Sequence, residues 1–279
     1  MWSLKTAHII FLFREFCKPS PINTSYFHLL TVGFLLDFPA CICWGIGQFT
    51  SLEEVSLITE IYSIEQWHNM FLVGVMDVII ALNRFTAIAM PRHFELIWRP
   101  LNVVFCLLLV LILPFIFDFM SLFDLDCLLH MFAKPRCSGF MKAFYFKAII
   151  VNVAFGLLAS ILAFAGIRKY KSMTSNTVNR SLERRFLDQT LTGAVLIVLY
   201  YSAYVYFLFQ EVTNENYIIV DTIVTVCYIV QHYVPMFMLF FISLKLRRRF
   251  CNFYHICPFR KSQTQPKSTA FSKVTPTIH

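Results

Sequence analysis

Charge is scarce in this sequence. Only 14% of its 279 residues are Asp, Glu, Lys or Arg, against about a quarter in an ordinary soluble domain. That scarcity excludes a water-soluble globule, because so much apolar surface cannot be hidden in one core. Catalytic patterns are missing too. There is no glycine-rich phosphate loop, no H-E-x-x-H and no Ser/His/Asp arrangement in a supporting context, so the chain is not expected to be an enzyme. No C-x-x-C pair and no Cys/His cluster at metal spacing occurs, so neither a metal nor any other cofactor is expected. Nor does the sequence repeat internally, as the two halves of many transporters do.

Hydrocarbon takes the place of charge. Hydrophobic residues make up 58% of the chain, 31 of them phenylalanine. A helix needs roughly 20 apolar residues to cross a bilayer. Six segments reach that length, at about residues 26–49, 67–90, 101–120, 144–167, 187–209 and 217–244. A seventh apolar stretch, residues 1–13, is shorter and holds Lys5 and His8. It reads as part of a first helix, since no small-x-small cleavage site follows it. The expected fold is an all-α integral membrane protein: a seven-transmembrane-helix bundle with a short or truncated first helix.

The links between spans differ in sign. Residues 50–66 hold four glutamates and residues 211–217 hold two, with no Lys or Arg in either. Residues 91–100, residues 168–189 and the stretch after 244 are basic. Lys and Arg stay on the cytoplasmic side. This predicts a multi-pass plasma-membrane protein with a cytoplasmic C-terminus. The net charge of +8 therefore reads as topology. No nucleic-acid partner is expected, because the basic residues are dispersed and carry no nucleic-acid motif.

A few polar residues fall inside the spans. Arg84 lies six residues before the end of its span, about 9 Å along the axis. Snorkelling to the interface would by itself explain that placement. Asp37 sits mid-span, where a carboxylate is costly and must face the bundle interior or water. Asp77 lies two turns from Arg84 on the same face, too far for a close pair. A contact between Asp77 and Asp37 through water or a shared proton is the alternative. With Pro235 in the last span, these two acids make up an expected polar switch within the membrane. Trp67, His68, Asp118, Lys147, Tyr201, Tyr204, Asp221, Tyr228 and His232 give an aromatic set with a few polar points, the composition of a small-molecule pocket. Taken singly, each also suits an interfacial belt.

Cys127 and Cys137 share one predicted outer loop, on the oxidising side, and are expected to form a disulfide. After the last span, Phe250, Phe253, Tyr254 and Cys257 recur at helical spacing beside arginines. This predicts an amphipathic helix lying on anionic membrane lipids, with Cys251 and Cys257 as palmitoylation candidates. Residues 250–279 as a whole form a juxtamembrane helix and a polar tail expected to be disordered.

The stretch "ALNRFTAIAMPRHFELIW" carries a resemblance. Leu82, Asn83, Arg84, Pro91, Phe94, Ile97 and Trp98 are similar to the third-helix end and second inner loop of the nematode serpentine chemoreceptors, in the gamma-class superfamily of Srg and Srv type. The last helix, with Pro235 followed by a basic exit, also resembles that family. The resemblance implies a chemosensory receptor that detects a small-molecule ligand and signals through a heterotrimeric G protein. It places Asn83, Arg84, Phe85, Pro91, Trp98, Arg184 and Arg185 at the coupling switch. Asn83 stands where rhodopsin-like receptors carry an acid, so restraint on Arg84 is expected from another helix, with Glu183 and Asp188 the nearest acids by sequence. Gln66, eighteen residues before Arg84, is not the carboxylate such a receptor uses for amines, so no amine ligand is expected. The alternatives are a six-span transporter or channel subunit, or a truncated receptor that does not signal.

Overall fold

The computed structural model describes residues 2–18, 24–47, 56–131, 134–172, 178–209 and 214–256. Among them the helices run, in chain order, Trp2–Phe16 (α1), Ser25–Gly47 (α2), Leu57–Ala89 (α3), Phe94–Ile97 (α4), Pro100–Phe117 (α5), Leu125–Leu129 (α6), Ser138–Lys171 (α7), Val178–Phe209 (α8), Asn214–Ile242 (α9) and Leu244–Phe253 (α10). Six of them, α2, α3, α5, α7, α8 and α9, are long and apolar enough to cross a membrane. The chain is a multi-pass, all-helical membrane protein. With 15 residues, α1 covers about 22 Å, less than the roughly 30 Å of a hydrocarbon core, and it is not among the six.

Successive spans alternate in direction, so the bundle has two ends. One carries Arg14, α4, the last turn of α7 with Arg168, Lys169 and Lys171, and α10. It is called the basic end below. The other carries the segment from Asp118 to Cys137 and is called the disulfide end.

Two helices start earlier than their composition suggests. The acidic segment before Trp67, expected as a loop, is helical from Leu57 onward. Ser56 accounts for this. Its hydroxyl accepts from the Thr59 N–H at 3.3 Å, while the Thr59 hydroxyl accepts from the Ser56 N–H at 3.0 Å. This reciprocal cap satisfies donors that a helix start otherwise leaves open. The resulting 33-residue helix is roughly 50 Å long, and it carries Glu60 and Glu65 as helix residues. Likewise α8 begins at Val178, so most of the basic segment before its apolar run is helix rather than loop.

The centre of the bundle is α3, which packs on α2, α5, α7 and α8. Small residues allow these approaches, as expected where helices meet in lipid. Ala81, Ala159 and Ala194 are fully buried together where α3, α7 and α8 converge. At Gly74 the approach is close. The Asn152 side chain of α7 accepts from the Gly74 N–H at 2.9 Å and donates to the Met70 carbonyl at 2.5 Å, inserting its amide into the α3 backbone ladder. A Cβ at residue 74 would stand 2.9 Å from the Asn152 Oδ1 and 3.2 Å from its Cα. Gly74→Val is therefore expected to lower the unfolding temperature in detergent by several degrees, since overpacking costs about 1–3 kcal/mol. An unchanged melting curve would mean that α3 and α7 part freely here. The outer face of α5, by contrast, exposes Leu101, Val104, Phe105, Leu108, Ile112 and Ile116, a surface that only lipid suits.

The structure corrects the reading of α10. Its apolar side packs on protein rather than lying on a membrane surface. Phe250 stacks on His8 at 5.0 Å and meets Phe11 and Phe240 edge-on. The Tyr254 hydroxyl donates to the Ala7 carbonyl at 2.6 Å, and Arg249 pairs with Glu15. So α10 fastens α1 to the bundle, starting at a Ser243 cap whose hydroxyl accepts from the Leu246 N–H. Cys251 is half-buried and not in a disulfide, and Cys257 lies outside the described residues.

Candidate functional site

Polar residues line one face of α3. Tyr62, Glu65, Asn69, Asp77 and Arg84 recur at steps of three, four, eight and seven residues, which stacks them along one side. From the disulfide end to the basic end the bundle presents four features.

The first is a closed knot. Asp118 caps α5 and is 1% exposed. Its Oδ2 accepts from the Trp67 indole N–H at 3.0 Å and from the Ser121 hydroxyl at 2.5 Å, and its Oδ1 from Lys147 at 2.7 Å. This ties α3, α5 and α7 together. Trp67, Asp118 and Lys147, expected in a ligand pocket, are thus brought together but spent on one another, because a buried carboxylate must satisfy its own lone pairs. His68 faces α5, where its Nε2 lies 3.3 Å from the Leu111 carbonyl and its ring meets Phe115.

Above this knot, Cys127 and Cys137 are joined by a disulfide with a Cα–Cα distance of 5.2 Å. Asp126 accepts from Lys134 at 2.6 Å and from Arg136. These hydrogen bonds hold its carboxyl down at about 2. His130, 3.4 Å from Glu60, ties the loop back to α3.

The second feature is a tyrosine cluster. Tyr145 meets Tyr204 at 5.1 Å between ring centroids, and Tyr200 meets Tyr201, Tyr204 and Tyr228 at 4.9, 5.9 and 6.1 Å. The Tyr201 hydroxyl reaches the Met70 sulfur at 3.8 Å. Here Tyr201, Tyr204 and Tyr228 do converge as the sequence suggested. Asp221's side chain lies outside the described residues.

Third comes a cavity of about 120 Å³ between α2, α3, α8 and α9, lined by Asp37, Asn69, Asp77, Gln189, Gln231 and His232 among apolar residues. It has room for several waters. A smaller cavity of about 70 Å³ shares Asp77, Gln189, Gln231 and Pro235 with it and extends to Tyr26. The two acids expected to contact each other do face one cavity. Asp37, however, takes a different partner: its Oδ1 lies 3.1 Å from His232 Nδ1, and the His232 ring packs on Tyr228 at 4.2 Å.

The fourth feature is a clamp on Arg84. Its guanidinium sits 3.9 Å above the Tyr26 ring of α2 and 5.2 Å from the Phe186 ring of α8, and donates to the Asn83 side chain at 2.8 Å. Asn83 in turn donates to Ser25 at 2.9 Å. Arg84 is 4% exposed, which a snorkelling side chain would not be. Of the two acids expected to restrain Arg84, Asp188 makes no ion pair with it, and Glu183's side chain lies outside the described residues. From the clamp a relay runs inward. The Tyr26 hydroxyl donates to Gln189 at 3.1 Å, and Gln189 donates to the Pro235 carbonyl at 2.8 Å. Nearby, Trp98 donates to the Thr86 hydroxyl at 2.7 Å, holding the α4 segment on α3. Phe85 is half-buried, while Pro91, Arg184 and Arg185 are exposed at the same end.

Sequence reasoning missed Tyr26, Phe186, Gln189 and Gln231, which no motif marks. It also missed Tyr62 and Glu65, although the regular steps along α3 could have marked them. No protein-family model, curated protein or solved structure matches the chain.

Proposed function

We propose that the chain is a seven-helix chemosensory receptor of the nematode serpentine kind, in which a small molecule bound toward the disulfide end drives a heterotrimeric G protein at the basic end. The observation that carries this reading is the buried Arg84 clamp between Tyr26 and Phe186, coupled through Gln189 to the Pro235 carbonyl beside the central cavity. It is a two-state element by design of its contacts. A cation held between rings of two other helices is released when either helix moves, and a ligand that shifts α8 or α9 changes the balance of the two packings. Asn83, Arg84, Phe85, Pro91, Trp98, Arg184 and Arg185 supply the coupling surface on this reading, and α1 acts as the first helix.

A peptide tag on the N-terminus of intact cells tests the topology. Seven passes place it outside, accessible to antibody without permeabilisation. A tag reached only after permeabilisation counts against the receptor and for the six-span alternative. The six full-length spans favour that second reading, and solute flux in proteoliposomes would support it.

A further inference from the structure

We propose that Glu65 and the tyrosines beside it form a binding site for an organic ammonium ion. The inference deepens the receptor reading, on which it rests for its biological sense, by naming the chemical class of the ligand.

The starting point is Glu65 itself. Its Oε2 is fully buried and has no hydrogen-bond partner. Among the described residues, no Lys or Arg forms an ion pair with it. A carboxylate inside a membrane helix without a counter-charge is costly and marks a site that expects one. The neighbouring charges do not supply it. Asp37, within electrostatic range of Glu65, is itself an acid and is already engaged with His232. Lys147 is held by Asp118.

The surroundings select the kind of cation. Tyr62 lies one turn away on the same face of α3, within electrostatic range of Glu65 and Tyr204. Tyr145 and Tyr200 also lie within range of Tyr62. Tyr200 is 7% exposed, and among the described residues nothing hydrogen-bonds its hydroxyl. Tyrosine faces attract ammonium groups, and cages of them recognise alkylammonium ligands. A metal ion is less well served, because among the described residues no three His, Cys, Asp or Glu side chains converge. An anion would meet Glu65 and Asp37 together. The expectation from Gln66 is thereby revised: the acid is one residue earlier, on the face that turns inward.

The test uses the full chain purified in detergent and three probes of one shape: phenethylammonium, 2-phenylethanol and phenylacetate. Thermal unfolding is followed against probe concentration. The expected result is saturable stabilisation by the ammonium alone. Glu65→Gln should weaken it about ten- to a hundredfold, the worth of one charge-assisted hydrogen bond. Glu65→Asp should bind more weakly than wild type but keep the preference for the cation, and it serves if the Gln variant does not fold. Equal stabilisation by the alcohol, no stabilisation by the ammonium, or an unchanged response in Glu65→Gln overturns the site. Because unfolding is read without a G protein, the two proposals fail separately. Ammonium binding with no effect on nucleotide exchange in a reconstituted G protein would sink the receptor and leave the site. Exchange driven by the receptor without ammonium binding would sink the site alone.

Discussion

Arg84→Ala, at surface expression equal to wild type, is expected to abolish G-protein nucleotide exchange, whereas Tyr26→Ala is expected to raise ligand-independent exchange roughly tenfold. The opposite signs follow from one contact. Arg84 lies 3.9 Å above the Tyr26 ring in a setting almost free of solvent, where a cation–π contact is worth about 2 kcal/mol. Each 1.4 kcal/mol removed from the resting packing shifts the balance about tenfold toward the alternative. Removing the ring frees the guanidinium; removing the guanidinium deletes the group that would meet the G protein. The double variant should therefore be silent. Tyr26→Phe separates the ring from the hydroxyl. It keeps the cation–π contact but loses the 3.1 Å bond to Gln189, so its basal exchange should fall between wild type and Tyr26→Ala. If Arg84→Ala signals normally, the arginine is an anchor and the clamp has no switching role. If Tyr26→Ala is as quiet as wild type, the lock lies elsewhere.

How far the sequence could have led to this arrangement differs from residue to residue. The six spans are legible because lipid demands continuous apolar length, and no tertiary detail alters that demand. The ends are less so. At the start of α3, composition alone read four glutamates as a solvated link, yet a two-residue hydroxyl cap extends the helix through half of them. Glu65 then becomes interior by a rotation that only the helix register reveals. Arg84 was conspicuous because a charge in an apolar run is rare, but its partners were not. Tyr26 and Phe186 lie 58 and 102 residues away along the chain, and an aromatic residue among so many carries no mark of its own. Asp118 and Lys147 were visible as polar outliers, but their roles were inverted. A sequence shows that a charge is present; only packing shows whether its lone pairs face an open site or are already spent.

Asp118 is where that distinction has the largest consequence for stability. Asp118→Ala is expected to destabilise the folded protein by about 3 kcal/mol, the low end for breaking a buried charged pair. The low end applies because Lys147 is 41% exposed along its side chain and can turn toward water or headgroups once released. The Trp67 indole and Ser121 hydroxyl have no such escape, as both residues are buried. Asp118→Asn separates the two contributions. Its carbonyl oxygen can still take Trp67 and Ser121 in the place of Oδ2, but its NH₂ then faces the Lys147 ammonium, donor against donor. Pairing Asp118→Asn with Lys147→Met should therefore restore part of the loss. Thermal unfolding of the two single variants and the double variant gives the coupling directly. A coupling near zero would show that Lys147 contributes no more than an exposed surface charge, and that the junction of α3, α5 and α7 rests on the neutral hydrogen bonds alone.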